Sequence, residues 1–410
     1  VARRMISVIW LASHAIGPCR VESGLAECLR RSPPAGIFEE SEGGGMKPRK
    51  LVIAAGGTGG HMFPAQALAE EMLRRGWQVS LSTDARGARY AGAFPDAVTR
   101  EVVRAATPAR GGLRGKLTAP LSIARGVWDT WRAMRRDRPA VVAGFGGYPA
   151  VPAMSAAKML GIPTLIHEQN GVPGRVNRLF APRVDIVACS VEPTVLPKGT
   201  KAEHTGNPVR GSVFAMAGAD YDLARCDTRN VLVIGGSQGA AILSRVVPAA
   251  LAALPDELRA KLKVAHQARG EDEARVREAY AAAGIEADVR SFFDDVPQRL
   301  ADCHLVISRA GASSVADIAV VGRPSILIPY ALATDDHQAA NARGLVQAGA
   351  ALMIREDTLD SGGLSTEIAA ILGDPTRAAS MAEAARNASR PDAVQRLADL
   401  VERMSKGTAT

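Results

Sequence analysis

Short apolar runs alternate along most of this chain with longer segments whose apolar positions recur at helical steps. Residues 51–55, 79–82, 140–143 and 164–166 read as buried strands, with helices over 64–75 and 152–160 between them. Continuous apolar strands joined by helical crossovers predict a parallel sheet covered on both faces. The pattern then restarts. Residues 231–234, 263–266, 288–291, 305–307 and 325–328 read as strands, and 240–254, 272–283 and 314–320 as helices. Between the halves, residues 206–229 are rich in Gly, Ala and Asp, lack a strong period and read as a linker. Each half opens with a strand that runs into a glycine-rich turn. The fold class expected is therefore α/β, with two Rossmann-like, doubly wound parallel-sheet domains. In such sheets ligands sit beyond the carboxyl ends of the strands, so two facing domains make a cleft.

Length agrees with this, since 410 residues exceed one ordinary core and suit two domains of ~150–200 residues. Aromatic residues are scarce, at 4%, which argues against a protein that stacks nucleic-acid bases. The formal net charge of +8 suits an anionic partner, whether nucleic acid, a phosphorylated substrate or an anionic membrane surface, and does not choose among them. Five scattered cysteines with no CxxC pair indicate neither a zinc site nor a disulfide framework, and favour a reducing compartment. No stretch has the ~18–20 apolar residues of a membrane-spanning helix. Residues 1–45 begin with a faintly signal-like segment but are polar and aperiodic from 20 onward, and are read as a dispensable extension or an over-long start.

The chemistry lies in the turns. GGTGGH at 56–61 follows a strand and opens a helix, where glycines let backbone N–H groups approach an anion. It is not the dinucleotide fingerprint, because Met62 stands where the third glycine belongs. Asp84, near the end of the next strand, keeps a ribose-binding dehydrogenase reading open. GFGGY at 144–148 and HEQN at 167–170 also follow strands, and the four polar side chains of the second suit contacts to sugar hydroxyls and phosphate, or a solvated loop. His167 and Glu168 lack the HExxH spacing of a zinc site. GGSQGA at 235–240 is the second half's counterpart of the first turn, with Ser237 as a hydroxyl donor; it has no Walker A spacing. In SRAGASSVAD at 308–317, Ser313 and Ser314 suit capping and phosphate donation, and Arg309 suits phosphate neutralisation. Asp317 suits either a ribose hydroxyl or plain complementation of the helix dipole. Gln338 and Asn341 in DDHQAAN share a helix face suited to sugar hydroxyls, with a capped ordinary helix as the other reading. Residues 110–138 interleave Arg and Lys with Leu and Trp, a face suited equally to an anionic bilayer or to core packing with a solvated side.

Taken in order, GGTGGH, GGY, HEQN, GNPVR, GGSQGA, SRAGA and DDHQxxN resemble the bacterial MurG-type undecaprenyldiphospho-muramoylpentapeptide β-N-acetylglucosaminyltransferases, over nearly all of the chain from residue 47. The resemblance implies a GT-B fold with an acceptor and membrane-associating domain at 46–209 and a UDP-sugar domain at 210–387. A C-terminal segment, 388–410, would pack back on the first domain. It implies an inverting transfer of N-acetylglucosamine from UDP-N-acetylglucosamine to lipid I, giving lipid II in peptidoglycan synthesis, with no cofactor or built-in metal. The enzyme would sit peripherally on the cytoplasmic face of the membrane, alongside other cell-wall synthesis proteins. Carried over by position, His61 would be the base, or else a hydrogen-bonding contact to a substrate phosphate, with Glu168 and His167 beside it. Thr58, Gly59, Gly60, Tyr148 and Asn170 would line the acceptor side. Arg210, Ser237, Phe293, Arg309, Ala312, Ser313, Ser314, Val315, Ala316, Asp317, Gln338 and Asn341 would serve UDP and its sugar. The chain departs from the family at Asp317, where Glu is common, and at Phe293, where a smaller aliphatic occurs. By residue chemistry alone, a UDP-sugar epimerase of similar fold and a non-catalytic nucleotide- or lipid-binding protein remain open.

Overall fold

The computed structural model describes residues 48–407, except 86, 88–91, 93, 103–111 and 237–238, with backbone alone for 112–121. The extension at 1–45 and Ser237 thus lie outside the described residues, as do Arg110 and the side chains of Leu113, Arg114, Lys116, Leu117 and Leu121.

Two parallel sheets organise the chain. The first contains β1 (Lys50–Ala55), β2 (Gln78–Thr83), β3 (Thr99–Val102), β4 (Val141–Gly146), β5 (Thr164–Glu168), β6 (Ile186–Cys189) and β7 (Ala202–His204). Their spatial order is β3-β2-β1-β4-β5-β6-β7. Its helices are α1 (Gly59–Arg74), α2 (Gly112–Arg136), α3 (Ala150–Met159) and α4 (Arg175–Phe180). Leu51 pairs with both Val79 and Val141, so β1 is central and must be apolar on both faces. Leu51 and Ile53 bury against α1, while Val52 and Ala54 bury in the cluster that contains α3.

The second sheet contains β8 (Arg229–Ile234), β9 (Leu262–Gln267), β10 (Glu286–Arg290), β11 (Leu305–Ser308), β12 (Ser325–Leu327) and β13 (Ala351–Met353), in the order β10-β9-β8-β11-β12-β13. Its helices are α5 (Gly211–Phe214), α6 (Ala241–Ala252), α7 (Asp256–Arg259), α8 (Glu273–Ala282), α9 (Val296–Asp302), α10 (Ala312–Val321), α11 (His337–Gln347), α12 (Ser361–Leu372) and α13 (Pro375–Ala388). In both sheets the order reverses beside the first strand, which puts a crevice at the carboxyl ends of β1 and β4 and of β8 and β11.

The stretch read as a linker is anchored rather than loose. Val209 and Val213 sit in the second sheet's core, and Arg323, fully buried, donates to the carbonyls of Ala219, Asp220, Leu300, Ala301 and Gly322. Burial lowers the pKa of this guanidinium, and several of its donors end on backbone oxygens. Polar anchoring of this kind leaves no hydrophobic period to read.

The chain then returns. Helix α14 (Ala393–Lys406) buries Leu397, Ala398, Leu400 and Val401 in the core of the first sheet. At ~1.5–3 kcal/mol per large buried side chain, this face is a substantial part of that core. Arg75 lies 2.6 Å from Asp399 and 3.2 Å from Glu402, and Arg49 donates to Ser405 at 3.1 Å. The outgoing and returning crossings abut at Gly206, whose φ is +83°. A Cβ there would come within 2.7 Å of Arg390 Cβ and 3.0 Å of Ala393 Cβ.

Candidate active site

Helix α1 starts straight from the GGTGGH turn. Thr58 takes an extended conformation and its carbonyl accepts from the N–H groups of His61 and Met62. The N–H groups of Gly59 and Gly60 form no hydrogen bond among the described residues, as expected of the first turn of a helix. The turn is tight: a Cβ on Gly56 would lie 2.6 Å from Pro149, and one on Gly147, at φ +76°, would lie 2.9 Å from the Gly56 carbonyl oxygen. Tyr148 is half-buried beside it. Asp84 accepts the N–H of Gly87 at 2.9 Å, so it belongs to its own turn and not to a ribose site.

His61 is held by this turn. Its Nδ1 lies 3.0 Å from the Gly56 carbonyl oxygen, a group that only accepts, so Nδ1 carries the proton and Nε2 the lone pair. Nε2 faces Gly146: a Cβ there would be 3.2 Å from it. Burial lowers the pKa of His61 below the ordinary 6.5; Glu168 and the Gly56 carbonyl pull it up, and His337 of α11 pushes it down. The His61 imidazole is thus neutral near pH 7.

Glu168 and His167, expected beside the base, are both buried and hydrogen-bonded within the protein. Glu168 is 1% exposed, and its carboxylate accepts from the Asn170 N–H at 2.9 Å, Asn170 Nδ2 at 3.2 Å, Gly174 N–H at 3.1 Å and Asn177 Nδ2 at 2.8 Å. With four donors bound, it organises the HEQN loop. His167 is 0% exposed, with Nε2 3.1 Å from the Gly206 carbonyl oxygen and 3.1 Å from Ser190 Oγ. Burial lowers its pKa to about 4 against the pull of that carbonyl, so it stays neutral and supports the crossing at Gly206.

On the second sheet, α10 begins after Gly311 with the residues read as a phosphate site. Its first backbone hydrogen bond runs from Val315 N–H to the Gly311 carbonyl, which leaves the N–H groups of Ala312, Ser313 and Ser314 without one among the described residues. Ser313 Oγ is buried and has no partner either. Ala312, Val315 and Ala316 line a cavity of about 340 Å³ between the sheets, with Gln169 and Gly206 across from them. The Arg210 guanidinium lies 4.3 Å from the centre of the Phe63 ring on α1 and 3.9 Å from Asp317. Burial raises the Asp317 carboxyl to about 7, and Arg210 pulls it back down. Phe293 is 3% exposed under Arg299, and its N–H forms no backbone hydrogen bond among the described residues.

Two residues expected on the ligand have partners within the protein. Arg309 is buried, and its Nη1 bonds Glu356 at 2.9 Å and the carbonyls of Ile328 and Pro329 at 3.2 Å each. Asn341 joins the two sheets: Oδ1 accepts from Gly171 N–H at 2.9 Å, and Nδ2 donates to Asn170 Oδ1 and the Ala310 carbonyl, both at 3.1 Å. Gln338 accepts from Tyr330 N–H at 3.0 Å. Nearby, Arg178 meets Asp335 at 2.6 Å, and Asp335 and Asp336 adopt φ of 53° and 51°. The sequence offered no signal for Asn177, in a short helix without a motif, or for Phe63, which reads as core.

Two family models match the two sheets. Residues 51–189 match the glycosyltransferase family 28 N-terminal domain and 230–397 the family 28 C-terminal domain. The chain belongs to glycosyltransferase family 28. Among its family 28 relatives, the UDP-N-acetylglucosamine–N-acetylmuramyl-(pentapeptide) pyrophosphoryl-undecaprenol N-acetylglucosamine transferase of Caulobacter vibrioides is 49% identical over 360 residues, 87% of this chain and 99% of that protein. The transferase of the same name from Brucella anthropi is 46% identical over 361 residues, 87% and 96% of the two chains. Among solved structures, Acinetobacter baumannii MurG superposes with a TM-score of 0.70 at 30% identity, over 87% of this chain and all of that one. A UDP-N-acetylglucosamine 2-epimerase from Listeria monocytogenes shares the fold alone: TM-score 0.63 at 14% identity, covering 88% and 98%. The family 28 member described here has the GT-B arrangement, two Rossmann-like sheets facing one cleft.

Proposed function

We propose that this chain transfers N-acetylglucosamine from UDP-N-acetylglucosamine to the C4 hydroxyl of muramoyl-pentapeptide on undecaprenyl diphosphate, with inversion, giving lipid II and UDP. The relatives of this name, matched over nearly their whole length, support it. The observation that carries the chemistry is His61 Nε2, left unprotonated by the bond from Nδ1 to Gly56 and lying on the same cleft as the open N-terminus of α10.

In this reading Nε2 takes the proton of the acceptor hydroxyl as its oxygen attacks the anomeric carbon. The bond from that carbon to the diphosphate oxygen breaks on the opposite face. Charge gathers on the departing UDP, where the N–H groups of Ala312, Ser313 and Ser314, the Ser313 hydroxyl and the α10 dipole meet it. Arg210 adds a positive charge, Asp317 accepts from the ribose, the Phe293 backbone edges the uracil, and Gln338 contacts the sugar. Thr58, Gly59, Gly60, Tyr148 and Asn170 form the acceptor side. Residues 46–209 act as the acceptor domain, 210–387 as the donor domain and 388–410 as the returning segment.

Trp128, 55% exposed and stacked at 5.1 Å on Trp131, lies with exposed Arg125, Arg132 and Arg135 on α2 and supports peripheral attachment to an anionic cytoplasmic leaflet. Buried Gly126, Thr130 and Met134 form that helix's inward stripe. No helix among the described residues is long and apolar enough to cross a membrane. The test is UDP release by the purified protein from UDP-N-acetylglucosamine with and without a lipid I analogue. Release that requires the analogue is expected, and release independent of it overturns the reading.

A further inference from the structure

Glu356 belongs to none of the glycine-rich or polar motifs, yet it holds the segment that leaves β12 toward α11. It follows the edge strand β13, and one of its oxygens, Oε2, serves two donors: Arg309 Nη1 at 2.9 Å and the N–H of Ala331 at 3.0 Å. Arg309 Nη1 also reaches the carbonyls of Ile328 and Pro329, and its guanidinium lies 5.3 Å from the centre of the Tyr330 ring. The ion pair is largely shielded, with the Arg309 side chain 9% and the Glu356 side chain 21% exposed. Four consecutive residues, 328–331, are therefore pinned by one acid–base pair at the carboxyl end of a strand.

That segment in turn fixes an amide. Tyr330 donates its N–H to Gln338 Oε1 at 3.0 Å. A carboxamide whose oxygen is held by a backbone donor is fixed in orientation, which leaves its NH2 as the end free to donate to a ligand. The backbone held by Glu356 sets this polarity. Were the segment to shift, the amide could rotate and present either end.

We propose that Glu356 is a positioning residue for donor-sugar recognition: through Arg309 and Ala331 it fixes the Tyr330 N–H, and thereby turns the Gln338 NH2 toward a hydroxyl oxygen of the hexosamine. This rests on the UDP-sugar reading given above. It assigns Glu356 no contact with UDP and no part in proton transfer.

The experiment is a double-mutant cycle on the full-length protein with Glu356→Ala, Gln338→Ala and the combined variant. It measures KM for UDP-N-acetylglucosamine, and Kd for UDP alone as the sugar-free probe. Glu356→Ala is expected to raise KM about tenfold, the loss of one well-formed hydrogen bond, while Kd for UDP stays within about twofold. In the Gln338→Ala background the same change is expected to raise KM less than about twofold, because the amide it positions is gone. Glu356→Asp, which keeps the charge, is expected to recover part of the affinity. Equal losses for UDP and UDP-N-acetylglucosamine, or additive effects in the cycle, overturn the proposal. A Glu356→Ala chain that fails to fold leaves Glu356→Gln to be read by the same two criteria. Failure of the unaltered protein to bind UDP-N-acetylglucosamine removes the functional reading and this inference together, whereas intact binding with an additive cycle removes this inference alone.

Discussion

At the level of single residues, environment decides which of several similar groups does chemistry. His61, His167 and His266 are all depressed by burial, His266 to about 3. Of the three, only His61 is partly exposed and has Nε2 aimed at the glycine of a cleft loop. His61→Ala is expected to lower turnover by ~10²–10⁴-fold while UDP-N-acetylglucosamine binding stays within about twofold. The acidic limb of the unaltered enzyme's kcat/KM should fall below pH 6.5, the ordinary imidazole value. Near-normal turnover of the variant would remove His61 as the base. Asp317 behaves in the opposite sense. Its folded carboxyl is raised from 3.8 to about 7, so between those values the folded chain keeps a proton that the unfolded chain has lost. Stability then declines as pH rises across that window. Asp317→Asn lacks this component, and its melting temperature should fall less than that of the unaltered protein between pH 4 and 7. Parallel curves in the two thermal series would contradict the assignment.

Among elements, α14 shows where the sequence pattern is informative and where it stops. Most interior strands were legible because burial on both faces demands unbroken apolar runs, as in β1 and β4, but the short interior strand β6 was not read. The edge strands β3, β7 and β13 were not, since three or four residues, partly exposed, carry too little period. β10 starts at Glu286, two residues before the stretch read as a strand, because its first residues are polar or small. The glycine turns pointed to the cleft because they follow strands directly. The partners of Asn341 and Arg309 were hidden, because they come from distant parts of the chain, and those of Glu168 because the loop that supplies them has no period. The period of α14 was not read from the pattern, and the resemblance alone directed this segment to the first domain; its apolar face lies in the core of the first sheet. Leu397 is fully buried there, and Leu397→Ala is expected to cost ~2–5 kcal/mol in urea unfolding. A loss under about 0.5 kcal/mol would place this helix outside the core.

For the whole molecule, the contacts that link the sheets include one exposed and one buried pair whose magnitudes differ. Arg178 and Asp335 are each about half exposed, so this 2.6 Å pair is worth only ~0.2–1 kcal/mol and weakens with salt. Asn341 is 3% exposed, and its removal strands the buried Gly171 N–H, a cost of ~1–3 kcal/mol. Asn341→Ala should therefore increase the radius of gyration in small-angle scattering more than Arg178→Ala does, and the reverse order would refute this ranking. The face bearing Trp128 makes a separate prediction. Trp128→Ala combined with Arg132→Glu and Arg135→Glu should reduce sedimentation with vesicles containing anionic lipid by about tenfold or more, at roughly 1 kcal/mol for each basic residue. Unchanged sedimentation would leave that face to packing alone.

The close crossing at Gly206 constrains how the two lobes can move. Because the chain leaves the first lobe and re-enters it at a single point of contact, the second lobe is tethered like a door on two touching pins. Sliding or peeling it away would require parting both connections, whereas swinging about the line through them needs only small changes in a few torsions. A rotation about that line would change the width of the cleft and move α10 relative to α1, which it contacts.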